Sequence, residues 1–391
     1  MIAFVGGTVL TPSRQITDGA VLVEGTRIVV VGPRRLVAIP TSAEVIDVEG
    51  GYVAPGFVDV HCHGALGVDF NRPGTTPEDL RRVAAFKASH GTTSFLAAIA
   101  TASPEATRQA LALVHESVGA CQGAELLGAQ AEGPFLNPEA AGAQSRDHIR
   151  PPSLAELDDW LEVCPELRLV ALAPEVEGAL EFIREGRRRG LTLSVGHSCA
   201  TYEQVIAAVG AGLTHATHTF NCMTGLHHLR PGAAGAVLTC DDITAEAIAD
   251  NIHLHPATLD IIARCKGPGK VALVTDAVSA AGLPEGKHEW DGRPITVSEG
   301  VVRLDDGTIA GSVLTMDRAL RNLVAATELA LTDAVQMATL NPARSIGVED
   351  RKGSLECGRD ADVVVLDRDL EVQMTMVRGA LVYSRRNAAA V

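Results

Sequence analysis

Short apolar runs alternate with segments of helical periodicity through most of this chain. The runs fall at 57–63, 92–98, 126–132, 168–173, 191–197, 213–218, 244–249 and 271–276, and each is predicted to be a strand. Helix starts between them are well signalled. Thr76-Pro77 and Ser103-Pro104 place a capping side chain before proline at the first helical position. Ser153 with Glu156, and Thr201 with Gln204, have the spacing of capping boxes. Gly91 and Gly190 stand where helices stop. Eight strands alternating with helices over about 290 residues predict an α/β protein built on a (β/α)8 TIM-type barrel. A doubly wound open sheet is the alternative, but no GxGxxG follows an early strand, so its nucleotide-binding form lacks its signature.

Outside that region the pattern changes. Residues 1–54 are rich in Val, Ile and Gly, with turn signals at Pro12-Ser13, Asp18-Gly19, Glu24-Gly25 and Gly32-Pro33. The far end is alike, with 353–358, 361–367 and 372–382. Neither piece has enough strands to bury its own face, so both are expected to join in one small β-sandwich domain. The expected division gives 1–54 and 354–391 to that domain, and 55–353 to a catalytic barrel.

Composition narrows the partners. The chain is 46% hydrophobic but only 3% aromatic, so its core must be built from Ala, Val, Leu and Ile. A net charge of −15 and a pI near 5.3 argue against nucleic acid or an anionic membrane surface. They leave room for an anionic small molecule held by a local positive site. Met1–Leu10 is interrupted by Gly6-Gly7, with no basic start and no cleavage site, so it reads as a strand rather than a signal peptide. No run approaches a membrane span. The eight cysteines are scattered and form no CxxC, which fits free thiols and a cytoplasmic location.

The chemistry lies at the strand ends. In such a barrel the active site sits at the C-terminal ends of the strands. Those ends carry His61 and His63, Glu132, His197, His218 and Asp276. A lone histidine there is more often a hydrogen-bonded structural residue, but six metal-capable side chains on one face are hard to explain that way. Glutamate plus two histidines with an open position for water is a recurrent catalytic arrangement. His61 and His63 flank Cys62, so strand alternation points both the same way, and neutral imidazole suits zinc or iron. His215 lies an odd number of positions from His218 and is expected on the opposite side, as a supporting or packing residue. A bound divalent ion acidifies a water, and Asp276 is placed to take its proton and pass it to a leaving nitrogen. The expected reaction is hydrolysis of a carbonyl–nitrogen bond.

Seven stretches carry a resemblance to a known family: 55–64 (PGFVDVHCHG), 131–137 (AEGPFLN), 196–198 (GHS), 218–223 (HTFNCM), 249–253 (ADNIH), 274–282 (VTDAVSAAG) and 310–317 (AGSVLTMD). They run in order along the barrel, and the whole chain is similar to the N-acetylglucosamine-6-phosphate deacetylases of the metal-dependent amidohydrolase superfamily. The resemblance implies a (β/α)8 barrel with a small terminal β-sandwich, and a homodimer. It implies deacetylation of N-acetyl-D-glucosamine 6-phosphate to D-glucosamine 6-phosphate and acetate, in amino-sugar catabolism or cell-wall recycling. It further implies that Glu132, His197 and His218 hold the main metal and that Asp276 is the general acid/base. Asn221, the Cys222 backbone N–H and His253 bind the sugar phosphate on this basis, and Ile309 lines the sugar or acetyl site. His61 and His63 allow a second ion. One or two divalent metals per chain are therefore expected, zinc first, with iron, manganese or cobalt as alternatives.

Two positions depart from the family pattern. A histidine that contacts the sugar is replaced by Gln144, which can still bond a hydroxyl, with His148 as a neighbouring substitute. The arginine that follows His-His and reaches the phosphate, often across the dimer, is displaced: Leu229 stands there and Arg230 comes one place later. These changes bear on substrate choice, where a different N-acetylated sugar or amide is the alternative. A ring-opening amidohydrolase would carry a carboxylated lysine at the fourth strand, and that strand ends Ala171–Glu175 without one. A non-catalytic barrel would have lost Asp276 or a metal ligand, and none is lost.

Overall fold

Eight parallel strands form one sheet in strict chain order: Phe57–Asp59, Thr92–Ile99, Glu125–Glu132, Leu167–Leu172, Thr192–Val195, His215–Ala216, Thr244–Ile248 and Val271–Val274. This computed structural model describes residues 1–12 and 14–388. Ser13 of the expected Pro12-Ser13 turn and residues 389–391 of the expected terminal domain lie outside the described residues. Helices Pro77–Ser89, Pro104–Ser117, Leu154–Val163, Ala179–Arg188, Tyr202–Ala211, Gly232–Thr239, Pro256–Lys266 and Met316–Ala326 follow the successive strands. Strictly sequential order excludes the doubly wound alternative, whose strand order reverses at a switch point.

Among the described residues no ladder joins the first strand to the eighth, so other bonds close the seam. Asp59 accepts the Thr275 hydroxyl at 2.6 Å, the Thr275 backbone N–H at 3.2 Å and Lys87 Nζ at 2.6 Å. Burial disfavours the charge on Lys87, yet the Asp59 carboxylate outweighs it and holds the amine above its ordinary range. Farther along, Asp276 N–H donates to the His61 carbonyl at 2.9 Å and His63 N–H to the Ala277 carbonyl at 2.8 Å. The bonds that close the barrel therefore also bring His61, His63 and Asp276 together.

The helix signals hold with one exception. Thr76 forms a full capping box with Asp79, Thr201 forms one with Gln204, and Ser103 caps Ala106 N–H. At Ser153 only half of the expected box forms. Ser153 accepts from Glu156 N–H at 3.3 Å, but the Glu156 carboxylate is taken by Arg150 at 2.7–3.1 Å. A charge-assisted, forked partner outcompetes a neutral backbone N–H.

The two chain ends build one connected sheet. Its order is Ala380–Ser384, Val372–Val377, Val363–Leu366, Tyr52–Pro55, Ile2–Thr11, Arg14–Glu24 and Arg27–Pro33, with Glu44–Asp47 beside Ile2–Thr11. Ile2–Val5 pair with Glu44–Asp47 and Thr8-Val9 with Tyr52-Val53, so the strand changes partner at Gly6-Gly7. A Cβ at Gly7 would stand 2.5 Å from the Gly51 carbonyl oxygen, which leaves room only for glycine. Tyr52–Pro55 pairs with Val363–Leu366 and so joins the two ends around Phe4, Val9, Ile28, Val53 and Val363.

One element was not anticipated. Between the eighth barrel strand and its helix lies an antiparallel sheet of Gly286–Trp290, Arg293–Ser298, Val301–Leu304 and Ile309–Ser312. It packs Trp290, Ile295, Val297 and Val302 onto Ala100, Val278 and Ala280, beside the ends of the barrel strands. Among the described residues, no helix is long and apolar enough to cross a membrane.

Candidate active site

Glu132, the last residue of the third strand, is the centre on which the other strand-end side chains converge. Its Oε1 lies 2.9 Å from His218 Nε2, 3.2 Å from His197 Nε2 and 3.5 Å from His61 Nε2. Its Oε2 lies 3.1 Å from His63 Nε2. Asp276 Oδ1 is 3.4 Å from His63 Nε2 and 3.5 Å from His61 Nε2. All six residues are buried. His197, His218 and Asp276 adopt φ of 47°, 29° and 48°, a left-handed region that residues with a Cβ avoid. Each such strain costs on the order of 1–3 kcal/mol and concentrates at functional sites. Although the first regular strand ends at Asp59, Cys62 bridges Ala277 and keeps the chain extended, so His61 and His63 share one side.

Hydrogen bonds behind the rings decide which nitrogen faces inward. His63 Nδ1–H donates to the Ala98 carbonyl at 3.1 Å and His197 Nδ1–H to the Ala140 carbonyl at 2.9 Å. A carbonyl can only accept, so in each neutral ring the lone pair sits on Nε2, toward Glu132. The Nε2 atoms of His197 and His218 are 3.1 Å apart, and those of His61 and His63 3.3 Å. Two lone pairs at that range repel unless a proton or a cation lies between them. His61, His63 and His197 are accordingly easier to charge than a free imidazole. Burial opposes it, but hydrogen bonds to Asp276 and Glu132 hold His63 up to about 9. Against the same burial, Cys222 and Glu132 hold His197 up to about 10. His61 is also raised, because Asp276, Glu246 and Glu132 together outweigh its burial. Glu132 is held well below the usual carboxylate range despite burial, first by His61 and then by His197 and His218. The same chemistry fits a divalent ion. Two donor sets, Glu132-His197-His218 and His61-His63-Glu132, each have ligand atoms within 4.8 Å of one another.

His63, Glu132, His197, His218 and Asp276 open onto a cavity of about 260 Å³, lined also by Asn221, Cys222, His253, Gln144, Trp290, Thr308 and Ile309, with His61 buried behind them. A larger cavity of about 690 Å³ lies against Ala380–Val382, with Cys121, Glu125 and Arg378 in its wall, and among the described residues it has no comparable donor set. His253 Nδ1 is 2.7 Å from Asp250 Oδ2, and that carboxylate, against the effect of burial, raises the imidazole pKa. Asn221 Nδ2 donates to the His218 carbonyl at 3.2 Å.

The two positions that depart from the family pattern are placed differently from the rest. Gln144 is buried with its amide engaged at both ends: Oε1 accepts Thr101 N–H at 2.7 Å and Nε2 donates to Glu132. It therefore braces Glu132. His148 is exposed and does not line the cavity. Leu229 and Arg230 are exposed on a turn closed by a His227–Arg230 bridge, and no arginine lines this cavity among the described residues. His215 stays outside the cavity, its Nε2 bonded to Glu246 at 2.9 Å. Sequence reasoning missed two residues. Glu246 is the one charged residue in its strand, Thr244–Ile248, which was its signal. Trp290 precedes an Asp-Gly turn flanked by alternating residues, the signature of a hairpin.

Residues 52–382 match the Amidohydrolase family, and the chain belongs to that family of metal-dependent hydrolases. Within it, N-acetylgalactosamine-6-phosphate deacetylase of Escherichia coli O157:H7 is 40% identical over 348 residues, 88% of this chain and 90% of that protein. N-acetylglucosamine-6-phosphate deacetylase of Bacillus subtilis is 35% identical over 97% of this chain and 96% of its own length. Among solved structures, a mutant N-acetyl-D-glucosamine-6-phosphate deacetylase of Mycobacterium smegmatis, in complex with N-acetyl-D-glucosamine 6-phosphate, superposes with a TM-score of 0.92. It is 34% identical, and the match covers 98% of this chain and 99% of that one.

Proposed function

We propose that this chain hydrolyses the acetamide of N-acetyl-D-glucosamine 6-phosphate, releasing D-glucosamine 6-phosphate and acetate. The observation that carries the reading is the meeting of Glu132, His197, His218 and Asp276 with His253 in one cavity, in a chain similar end to end to such deacetylases. Glu132, His197 and His218 would hold the principal divalent ion, and His61 and His63 with Glu132 a second. Zinc comes first, with iron, manganese or cobalt as alternatives, because imidazole and carboxylate donors suit them all. Such an ion, when bound, polarises a carbonyl and acidifies a water.

The chain's own groups do the rest. Asp276 is kept ionised against its burial by His61 and His63, so it can accept a proton. It then returns that proton to the nitrogen, which lets the sugar leave as a neutral amine. Gln144 keeps Glu132 aimed, and Ile309 and Trp290 wall the sugar or acetyl group. His253, Asn221 and the Cys222 backbone N–H take the phosphate. Arg230, exposed on its turn, would reach the phosphate across a homodimer, and a homodimer belongs to this reading. So does a cytoplasmic location, which suits eight free cysteines. The division into a terminal domain (1–54 and 354–391) and a barrel (55–353) completes it.

A second reading, N-acetylgalactosamine 6-phosphate as substrate, is favoured by the relative from Escherichia coli O157:H7. Steady-state kinetics on both phosphorylated epimers and on unphosphorylated N-acetylglucosamine, with elemental analysis of the same sample, decides between them. The first reading expects the highest kcat/KM on the gluco epimer. A higher value on the galacto epimer favours the second, and indifference to phosphate overturns both.

A further inference from the structure

Glu246 stands in the seventh strand with its side chain fully buried. A buried carboxylate is costly unless its lone pairs are filled. Here they are. Oε2 accepts His61 Nδ1–H at 2.9 Å and the backbone N–H of His218 at 3.0 Å, while Oε1 accepts His215 Nε2–H at 2.9 Å. The Glu246 carbonyl also accepts Thr219 N–H at 3.0 Å. One residue thus grips two members of the donor cluster, one after the first strand and one after the sixth, from a strand that supplies no donor itself.

The four imidazoles around Glu132 are not held alike. His63 and His197 are steered by neutral backbone carbonyls, and His218 Nδ1 has no partner among the described residues. His61 alone leans on a carboxylate. A carboxylate only accepts, so it fixes the Nδ1–H tautomer and leaves the His61 Nε2 lone pair facing Glu132 and Asp276. It also makes that nitrogen a more basic ligand. We infer that Glu246 is a positioning residue that sets His61 for a divalent ion, so that occupancy of the His61-His63-Glu132 place depends on Glu246. The inference rests on the reading of His61 as a metal-holding residue.

Glu246→Gln tests it with little risk to the fold. The amide is isosteric, and its N–H can point at His215, whose Nδ1 has no partner among the described residues, once that ring takes its other tautomer. The measurement is zinc per chain and zinc affinity by chelator competition, on wild type, Glu246→Gln, His215→Gln and His61→Ala. Thermal unfolding of the chelated proteins runs alongside. Glu246→Gln is expected to unfold cooperatively and to lose about tenfold to a hundredfold in affinity for the ion that His61→Ala abolishes. His215→Gln, which removes a Glu246 partner but leaves His61 alone, is expected to keep wild-type affinity. If Glu246→Gln binds zinc as wild type while His61→Ala loses an ion, the role of Glu246 is wrong and the metal reading stands. If His61→Ala loses nothing, the metal reading of His61 fails and this inference with it. Equal losses in Glu246→Gln and His215→Gln would make Glu246 a packing residue and overturn the inference.

Discussion

The two ends of the cavity are built to different standards. At the donor end, three of the imidazoles facing Glu132 have a second group behind them: Glu246 behind His61, the Ala98 carbonyl behind His63 and the Ala140 carbonyl behind His197. Glu132 itself is braced by Gln144. At the other end His253 is paired with Asp250 and Asn221 bonds the carbonyls of its own turn, while the Leu229-Arg230 turn stands exposed outside the cavity. Bonds that order a group before substrate arrives leave less to reorganise during reaction. On the proposed reading, the contrast assigns the hydrolytic chemistry to buried residues held by their neighbours and substrate recognition to fewer such contacts. Changes at the second end should alter which sugar is taken without altering what is done to it.

Breaking the donor end should produce the largest effects. Asp276→Asn is expected to keep its metal and its fold and to lose about 10²–10⁴-fold in kcat, the range for a principal acid/base. Retention of more than about a tenth of wild-type turnover would be too small a loss for that role. Glu132→Gln and His197→Ala come next. Each should lower metal content in parallel with activity, because a three-ligand site loses much of its affinity with one ligand gone. Undiminished metal by elemental analysis in both variants would remove them from the metal site.

Substitutions at the other end, and on the exposed turn, sharpen the contrast by sparing turnover on a minimal substrate. His253→Ala should cost about tenfold to a hundredfold in kcat/KM on the phosphorylated sugar, the value of one charge-assisted contact, and little on the unphosphorylated one. Arg230→Ala should give the smallest effect, about tenfold on the phosphorylated sugar, as expected of an exposed side chain that makes a charge-assisted contact. Equal losses on both sugars would mark either residue as structural.

How far this was legible in the chain depended on the range of the contacts. Strands such as 92–98 and 271–276 stand out because they are apolar runs between well-capped helices. His61, His63, Glu132, His197, His218 and Asp276 stand out because polar groups at such strand ends are unusual. Long-range partners were not legible. Nothing near Gln144 in sequence says that its amide reaches Thr101 43 residues away, and nothing near His61 points to Glu246, 185 residues on. The Gly286–Ser312 sheet was missed for another reason. Its half-exposed strands alternate polar and apolar residues over a stretch where the βα rhythm called for a helix, although Asp291-Gly292 and Glu299-Gly300 marked its hairpins. At Ser153 the local spacing was right, but a competing arginine took the glutamate.

The most direct test of the central claim is acetate release from N-acetyl-D-glucosamine 6-phosphate by one preparation, measured after chelation and again as zinc is titrated back. The donor end predicts that release vanishes with the metal and returns in proportion to zinc bound, saturating at one or two ions per chain. Release that continues undiminished in the chelated protein, or that stays absent at full zinc occupancy, would contradict it.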